Sequence, residues 1–98
     1  MTVNHFDLVN SYRPPDWYPL QRALALVFGT VAIDATAAFW FIGFVHGPAD
    51  MGALRLYEHS TTRRRVALDR NGGAYRWFDE IGGYSRSDNE EALIAALV

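Results

Sequence analysis

The sequence predicts an α+β fold, a four-stranded antiparallel β-meander with an N-terminal and a C-terminal helix packed on one face. Three observations support it: a helix-forming apolar stretch precedes residue 29, turn signals divide residues 53–80 into three short segments, and an alanine- and leucine-rich stretch ends the chain. Helices on one face of an antiparallel sheet are a common layered arrangement for such an order. At 98 residues the chain has room for one core.

The composition limits the classes of function. Half of the residues are apolar, 20% are charged and cysteine is absent, so the chain should fold without disulfides or thiolate metal sites. The lack of cysteine fits a reducing compartment, and we expect a cytoplasmic protein. A net charge of −2 gives no overall attraction to nucleic acid or acidic membranes. The charge is uneven, however, because residues 55–76 hold six arginines and two acidic residues.

The N-terminal residues 1–16 are predicted to form an arm, followed by a single domain over 17–98. Pro14 and Pro15 favour extended backbone, which makes Asp16 a candidate N-cap for a helix that starts near Trp17. Pro19 then falls in the first turn, where its missing N–H costs little.

Residues 23–45 contain a single charged residue, Asp34, and are long enough to span a bilayer as one helix. Asp34 near the middle of that span opposes insertion. Glycine at 29 and the aromatic, β-branched residues near 40 favour a helix, a connection containing Asp34 and a strand near 38–45. In that arrangement Asp34 caps a helical turn, and a chemical role for its carboxyl group is the alternative.

The remaining strands are predicted at 53–59, 63–69 and 74–80, joined by hairpin loops at 60–62 and 70–73. This register places one set of side chains on the core face: Leu54, Leu56, Val66, Leu68, Tyr75 and Trp77. It places another set on the opposite face, which we predict to bind a partner: Arg55, Tyr57, Arg65, Arg76 and Phe78.

The same register predicts partners for the arginine triplet at 63–65. Arg64 falls between Glu58 and Asp79, while Arg63 falls between His59 and Glu80. The triplet is therefore expected to be largely neutralised within the sheet rather than to mark a nucleic-acid site.

A C-terminal helix is predicted from about Asp88, with Ser87 and Glu90 forming a capping box. Residues 92–98 are apolar on every side of that helix. Either the sheet and the first helix enclose it, or a second copy of the chain does. The second case predicts a homodimer that associates through Leu93, Ile94 and Leu97.

No residue pattern indicates catalysis or metal binding. His5, His46 and His59 lack the spacing of a metal site, and no serine stands in a nucleophile motif. We therefore expect no cofactor, no metal and no enzymatic activity. The sequence favours a non-catalytic adaptor or inhibitor that binds a protein partner through the arginine and aromatic sheet face. The alternatives are a single-stranded nucleic-acid-binding protein and a small membrane protein with one span at 23–45.

Overall fold

A computed structural model of the chain describes residues 16–29, 35–48 and 52–98. The predicted arm up to residue 15 and the capping role of Asp34 lie outside these ranges. The elements in chain order are α1 (Tyr18–Phe28), β1 (Phe39–His46), β2 (Ala53–His59), β3 (Arg65–Leu68), β4 (Ala74–Phe78), β5 (Gly83–Arg86) and α2 (Asn89–Leu97).

The described strands form one antiparallel sheet in the order β1-β2-β3-β4-β5, so the predicted α+β meander is confirmed with one additional strand. That strand is β5, which follows a turn over residues 79–82. The Gly82-Gly83 pair indicated only a turn from sequence. Gly82 does end this turn with a positive φ of 61°, and the chain then pairs with β4.

Both helices pack on one face of the sheet, as predicted. Leu20, Ala23 and Leu24 of α1 and Leu93 and Ala96 of α2 are buried with sheet residues in one cluster. The sheet contributes Phe39, Tyr57, Val66, Leu68 and Ala74 to it. We call this side of the sheet the helix face.

α1 begins at Tyr18 after the N-cap residue Trp17, and Pro19 lies in its first turn. The Asp16 carboxylate accepts a weak hydrogen bond of 3.4 Å from the Tyr18 N–H, and Asp16 is not the N-cap that was predicted. The helix ends at Phe28, and residues 39–46 belong to a strand. Within the described ranges no helix has the length and apolarity needed to cross a membrane.

α2 is capped by Asp88, whose side chain accepts a hydrogen bond of 3.0 Å from the Glu91 N–H. The predicted cap at Ser87 was therefore wrong by one residue. Leu93 is fully buried in the core and Leu97 packs against it, whereas Ile94 is 45% exposed. The predicted self-association surface therefore lacks Leu93, because the sheet and α1 already cover that side. Self-association itself stays a prediction.

The predicted register between β2 and β3 was wrong by one residue. Tyr57 pairs with Val66 and Glu58 pairs with Arg65, whereas the prediction paired Tyr57 with Arg65. The cause is a longer turn, in which the Arg63 N–H bonds to the His59 carbonyl and the His59 N–H bonds to the Arg64 carbonyl. A shift of one residue reverses which face each side chain occupies.

The β3–β4 turn is shorter than predicted by one residue, since Leu68 pairs with Ala74 and the Asp69 N–H bonds to the Gly73 carbonyl, which leaves 70–72 as the loop. The Asp69 carboxylate accepts hydrogen bonds from the N–H groups of Asn71 and Gly73 at 2.8 and 2.9 Å, which stabilises the shorter turn. The side chains that were predicted to share the core face are consequently divided between the two faces of the sheet. Val66 and Leu68 lie on the helix face, whereas Leu54, Leu56, Tyr75 and Trp77 belong to a second cluster on the opposite face.

Candidate functional site

Two of the five predicted partner-binding residues, Arg55 and Tyr57, are buried on the helix face. Tyr57 is 0% exposed, and its hydroxyl donates a hydrogen bond to the Asp16 backbone carbonyl. Arg55 is 8% exposed and forms an ion pair with the Asp16 carboxylate at 3.1 Å. The prediction that Arg55 and Tyr57 lie on an open binding face was therefore wrong, because the chain segment before α1 covers them.

The other three predicted residues do not share one face. Arg76 and Phe78 alternate with Trp77 along β4, and the Arg76 guanidinium lies 5.8 Å from the centre of the Phe78 ring. Arg65 faces the other side of the sheet, because it pairs with Glu58. The structure nevertheless brings Arg65 and Arg76 to one cavity.

That cavity lies where β3 and β4 separate. Their register covers two pairs, Ala67 with Tyr75 and Leu68 with Ala74, whereas β4 pairs with β5 along four residues. Continuing the β3–β4 register by two residues would bring Arg65 opposite Trp77, and both residues line the cavity instead. We call this opening the β3–β4 cleft.

The cleft holds a cavity of about 370 Å³, within the range of pockets that bind ligands. Sheet residues form two walls and α2 forms the floor. The lining residues are Leu56, Arg65, Val66, Ala67, Tyr75, Arg76, Trp77, Tyr84, Glu91, Ala92 and Ala95. The cavity is therefore mainly aromatic and aliphatic, with two arginines and one carboxylate.

A row of side chains leads across the sheet to this cleft on the face opposite the helices. Trp40 of β1 pairs with Glu58 of β2, and Glu58 pairs with Arg65 of β3. Directly paired residues project to the same side of a sheet. We call Trp40, Glu58 and Arg65, together with Trp77 and Tyr84 beyond the cleft, the cross-strand row.

Two arginines fix the Glu58 carboxylate in this row. Arg63 Nε lies 2.6 Å from one carboxylate oxygen and Arg65 Nε lies 2.9 Å from the other. The hydrogen bonds from Arg65 and then Arg63 lower the pKa of Glu58 below its usual value. Asp79 and Glu80 were predicted to neutralise Arg64 and Arg63. Because the register differs, Arg63 and Arg65 instead share the Glu58 carboxylate.

Arg63 also contacts the exposed aromatic ring at the β1 end of the row. Its guanidinium lies 4.9 Å from the centre of the Trp40 ring, and the Trp40 side chain is 48% exposed. The Arg63 backbone has a φ of 63°, a left-handed conformation that costs a non-glycine residue roughly 1–2 kcal/mol. The turn holds Arg63 in this conformation, which places its side chain on Glu58 and Trp40.

The far end of the row is aromatic. The rings of Trp77 and Tyr84 meet edge to face at 5.4 Å, and the Trp77 indole N–H donates a 2.7 Å hydrogen bond to Asp79. Burial raises the pKa of the Tyr84 hydroxyl, while the charge of Arg65 acts in the opposite direction. At neutral pH, Tyr84 therefore presents a neutral ring to the cavity.

The described ranges contain no group of three His, Asp or Glu side chains that could hold a metal ion. Within the cleft the titratable groups are arginine, tyrosine and a single glutamate, Glu91. Guanidinium groups and aromatic rings bind ligands through charge, hydrogen bonds and packing. The arrangement is chemically suited to recognition.

A scan against family models finds no match to this chain, and searches of the curated proteins and the solved structures find none either.

Sequence reasoning missed Trp40, Trp77 and Tyr84 as site residues. Trp77 was assigned to the core, Trp40 to an apolar strand, and Tyr84 to a region without a predicted strand. The available signal for β5 was the aromatic Tyr84 directly after the Gly82-Gly83 turn pair. No comparable signal indicated that β3 and β4 separate, because the sequence of a strand does not show where its pairing with a neighbouring strand ends.

Proposed function

We propose that this chain is a non-catalytic binding domain that recognises a segment of a protein partner in the β3–β4 cleft. The observation that carries the proposal is the cavity of about 370 Å³ between two strands, with Arg65, Arg76 and Trp77 along its walls. Tryptophan, tyrosine and arginine are the residues that most often dominate the energy of protein interfaces. An adaptor or an inhibitor would both use such a site.

The shape of the cavity favours a side chain over an extended flat ligand. Its walls include the apolar side chains of Leu56 and Ala67 and the ring of Tyr84, and α2 contributes Ala92 and Ala95 to the floor. A partner residue that inserts there would bury apolar area, worth about 25 cal/mol for each Å² removed from water. The arginines at the walls would then fix its orientation through hydrogen bonds to the partner backbone or carboxylates.

The proposal is tested by filling the cavity. Ala95 is exposed and lines the cavity, so Ala95→Trp should occupy it without disturbing the buried core. Ala37→Trp is the matched control, because Ala37 is exposed in the short 3-10 turn over 35–38, outside the cavity lining. Binders are selected on the wild-type chain from a library of random peptides displayed on phage, and their affinities for the two variants are then measured.

We expect peptides selected on the wild-type chain to bind the Ala37→Trp variant equally and the Ala95→Trp variant at least tenfold more weakly. Equal unfolding midpoints in urea would establish that both variants fold. If no peptide is enriched, or if the enriched peptides bind Ala95→Trp as tightly as the wild type, the cleft is not a peptide-binding site.

A further inference from the structure

From the charges along the cross-strand row we infer that the partner segment is acidic, with a carboxylate that binds beside Arg63 and a large apolar side chain that enters the cleft. This inference rests on the proposed function, and it names the chemistry of the partner. It follows from the contacts that the three arginines at 63–65 make in the structure.

The triplet is only partly neutralised by its own chain. Glu58 is the acidic residue that forms ion pairs with Arg63 and Arg65, and both of its oxygens are engaged in doing so. Arg64 is exposed on the same turn. Glu58 is thus shared by two guanidinium groups, and the exposed Arg64 adds a third positive charge on the same turn, which complements an anionic partner.

The position of Arg63 suits an intermolecular contact. Its side chain is 64% exposed although it bonds to a carboxylate that is 5% exposed. The guanidinium has five N–H donors, so it can bind a second carboxylate while its Nε–H stays on Glu58. The exposed Trp40 ring lies 4.9 Å from this guanidinium and supplies apolar area to a bound partner.

The geometry sets an approximate spacing between the two contacts. Arg63 lies over Trp40 of β1, which is two strands away from β3, the wall of the cleft. Neighbouring strands are about 4.8 Å apart, so the two points are roughly 10 Å apart. An extended chain advances about 3.3 Å per residue, so the carboxylate should stand about three residues from the apolar anchor.

An acidic protein segment fits this surface better than nucleic acid does. Glu91 of α2 lines the cleft, and Asp79 accepts a hydrogen bond from the indole N–H of Trp77 at the far end of the row. A nucleic-acid strand carries a phosphate at every nucleotide and would place some of them near these carboxylates. A protein segment needs its negative charge only near Arg63 and Arg65.

The test uses the peptides selected on the wild-type chain and one synthetic representative. The representative is titrated by fluorescence anisotropy into wild type, Arg63→Gln and Arg70→Gln at low and moderate salt. Arg70→Gln is the matched control, because Arg70 is exposed in the β3–β4 turn and does not line the cleft. A labelled oligothymidine is titrated in parallel.

The inference predicts selected peptides with Asp or Glu about three positions from a large apolar residue. Arg63→Gln should weaken binding about three- to tenfold, Arg70→Gln should leave it unchanged, and added salt should reduce the wild-type affinity. Peptides without acidic enrichment, or equal affinity for Arg63→Gln, overturn the inference while sensitivity to Ala95→Trp still supports the cleft. Tighter binding of oligothymidine than of the peptide also overturns it.

Discussion

Arg65 of β3 and Trp77 of β4 lie on opposite walls of the cleft that opens where their strands separate. Both residues stand at the point where the ladder between β3 and β4 has ended, while each strand continues to pair with its other neighbour. A charged group and an aromatic ring thereby face one cavity inside a sheet. This relationship, rather than a flat surface of aligned side chains, defines the candidate site.

The hydrogen bond from Tyr57 to Asp16 should contribute to stability, because it satisfies a buried hydroxyl. Tyr57→Phe is expected to lower the free energy of unfolding by about 0.5–1.5 kcal/mol, measured by urea denaturation at neutral pH. Tyr18→Phe is the control, since the Tyr18 side chain is 56% exposed. Equal losses for the two variants would contradict the buried position of Tyr57.

Burial, and then the charge of Asp16, raise the pKa of the Tyr57 hydroxyl above its usual value. A group whose pKa is raised on folding stabilises the protein fully below its unfolded pKa, about 10 for tyrosine. That contribution is lost as the pH rises from there through the folded pKa. The wild-type protein should therefore lose stability above about pH 10, and Tyr57→Phe should lose less.

Acid should weaken the fold through Glu58. Its pKa is lowered on folding by the hydrogen bonds from Arg65 and Arg63. The stabilisation is therefore present above the unfolded pKa of glutamate, about 4.3, and is lost as the pH falls through the lower folded value. Urea unfolding at several pH values from about 7 down to about 3 measures this loss as a fall in the free energy of unfolding.

The variant Glu58→Gln should show a flatter dependence of stability on pH over this range than the wild type. Glu80→Gln, in the exposed turn over 79–82, serves as the control for removing one carboxylate. A pH profile of Glu58→Gln that matches both the wild type and Glu80→Gln would show that the ion pairs of Glu58 do not form.

Gly72 should tolerate a side chain less well than Gly29, although both have a positive φ, 90° and 97°. A Cβ atom on Gly72 would stand 3.0 Å from the Pro19 carbonyl oxygen, whereas one on Gly29 would meet no atom within 4 Å. Gly29→Ala is expected to lose about 1 kcal/mol from backbone strain. Gly72→Ala should lose more, because α1 must also move away from the turn.

Thermal or urea unfolding of the two alanine variants checks this order. The contact between Gly72 and α1 joins the β3–β4 turn to the first helix, so it reports how the helix layer is positioned over the sheet. A smaller loss for Gly72→Ala than for Gly29→Ala would mean that α1 does not approach the turn so closely.

Much of the fold followed from local sequence patterns. Alternation and turn residues predicted β2, β3 and β4, and the apolar stretches predicted two helices on one face. The register could not be predicted in the same way, because it depends on whether Arg63 joins the turn, and a non-glycine residue with a φ of 63° has no sequence signature.

The types of residue at the candidate site were predicted from the sequence, but their location in the sheet was not. An arginine and aromatic surface was expected, but a shift of one residue exchanged the faces of Tyr57 and Leu56 relative to β3. Arg65 and Arg76 remain at the site because the strands separate between them. Where β3 and β4 stop pairing is set by how the two strands pack in the folded sheet, and the local sequence of β3 does not encode it.

The three tryptophans allow the central claim to be tested in one NMR titration. Trp77 lines the cleft, Trp40 carries Arg63 at the other end of the cross-strand row, and Trp17 packs against Tyr57 on the helix face. A peptide selected on the wild-type chain is titrated into ¹⁵N-labelled protein while the three indole N–H signals are followed. We predict that the signals of Trp77 and Trp40 shift with one binding curve and that the signal of Trp17 does not. A shift of Trp17 with an unchanged Trp77 would contradict the account.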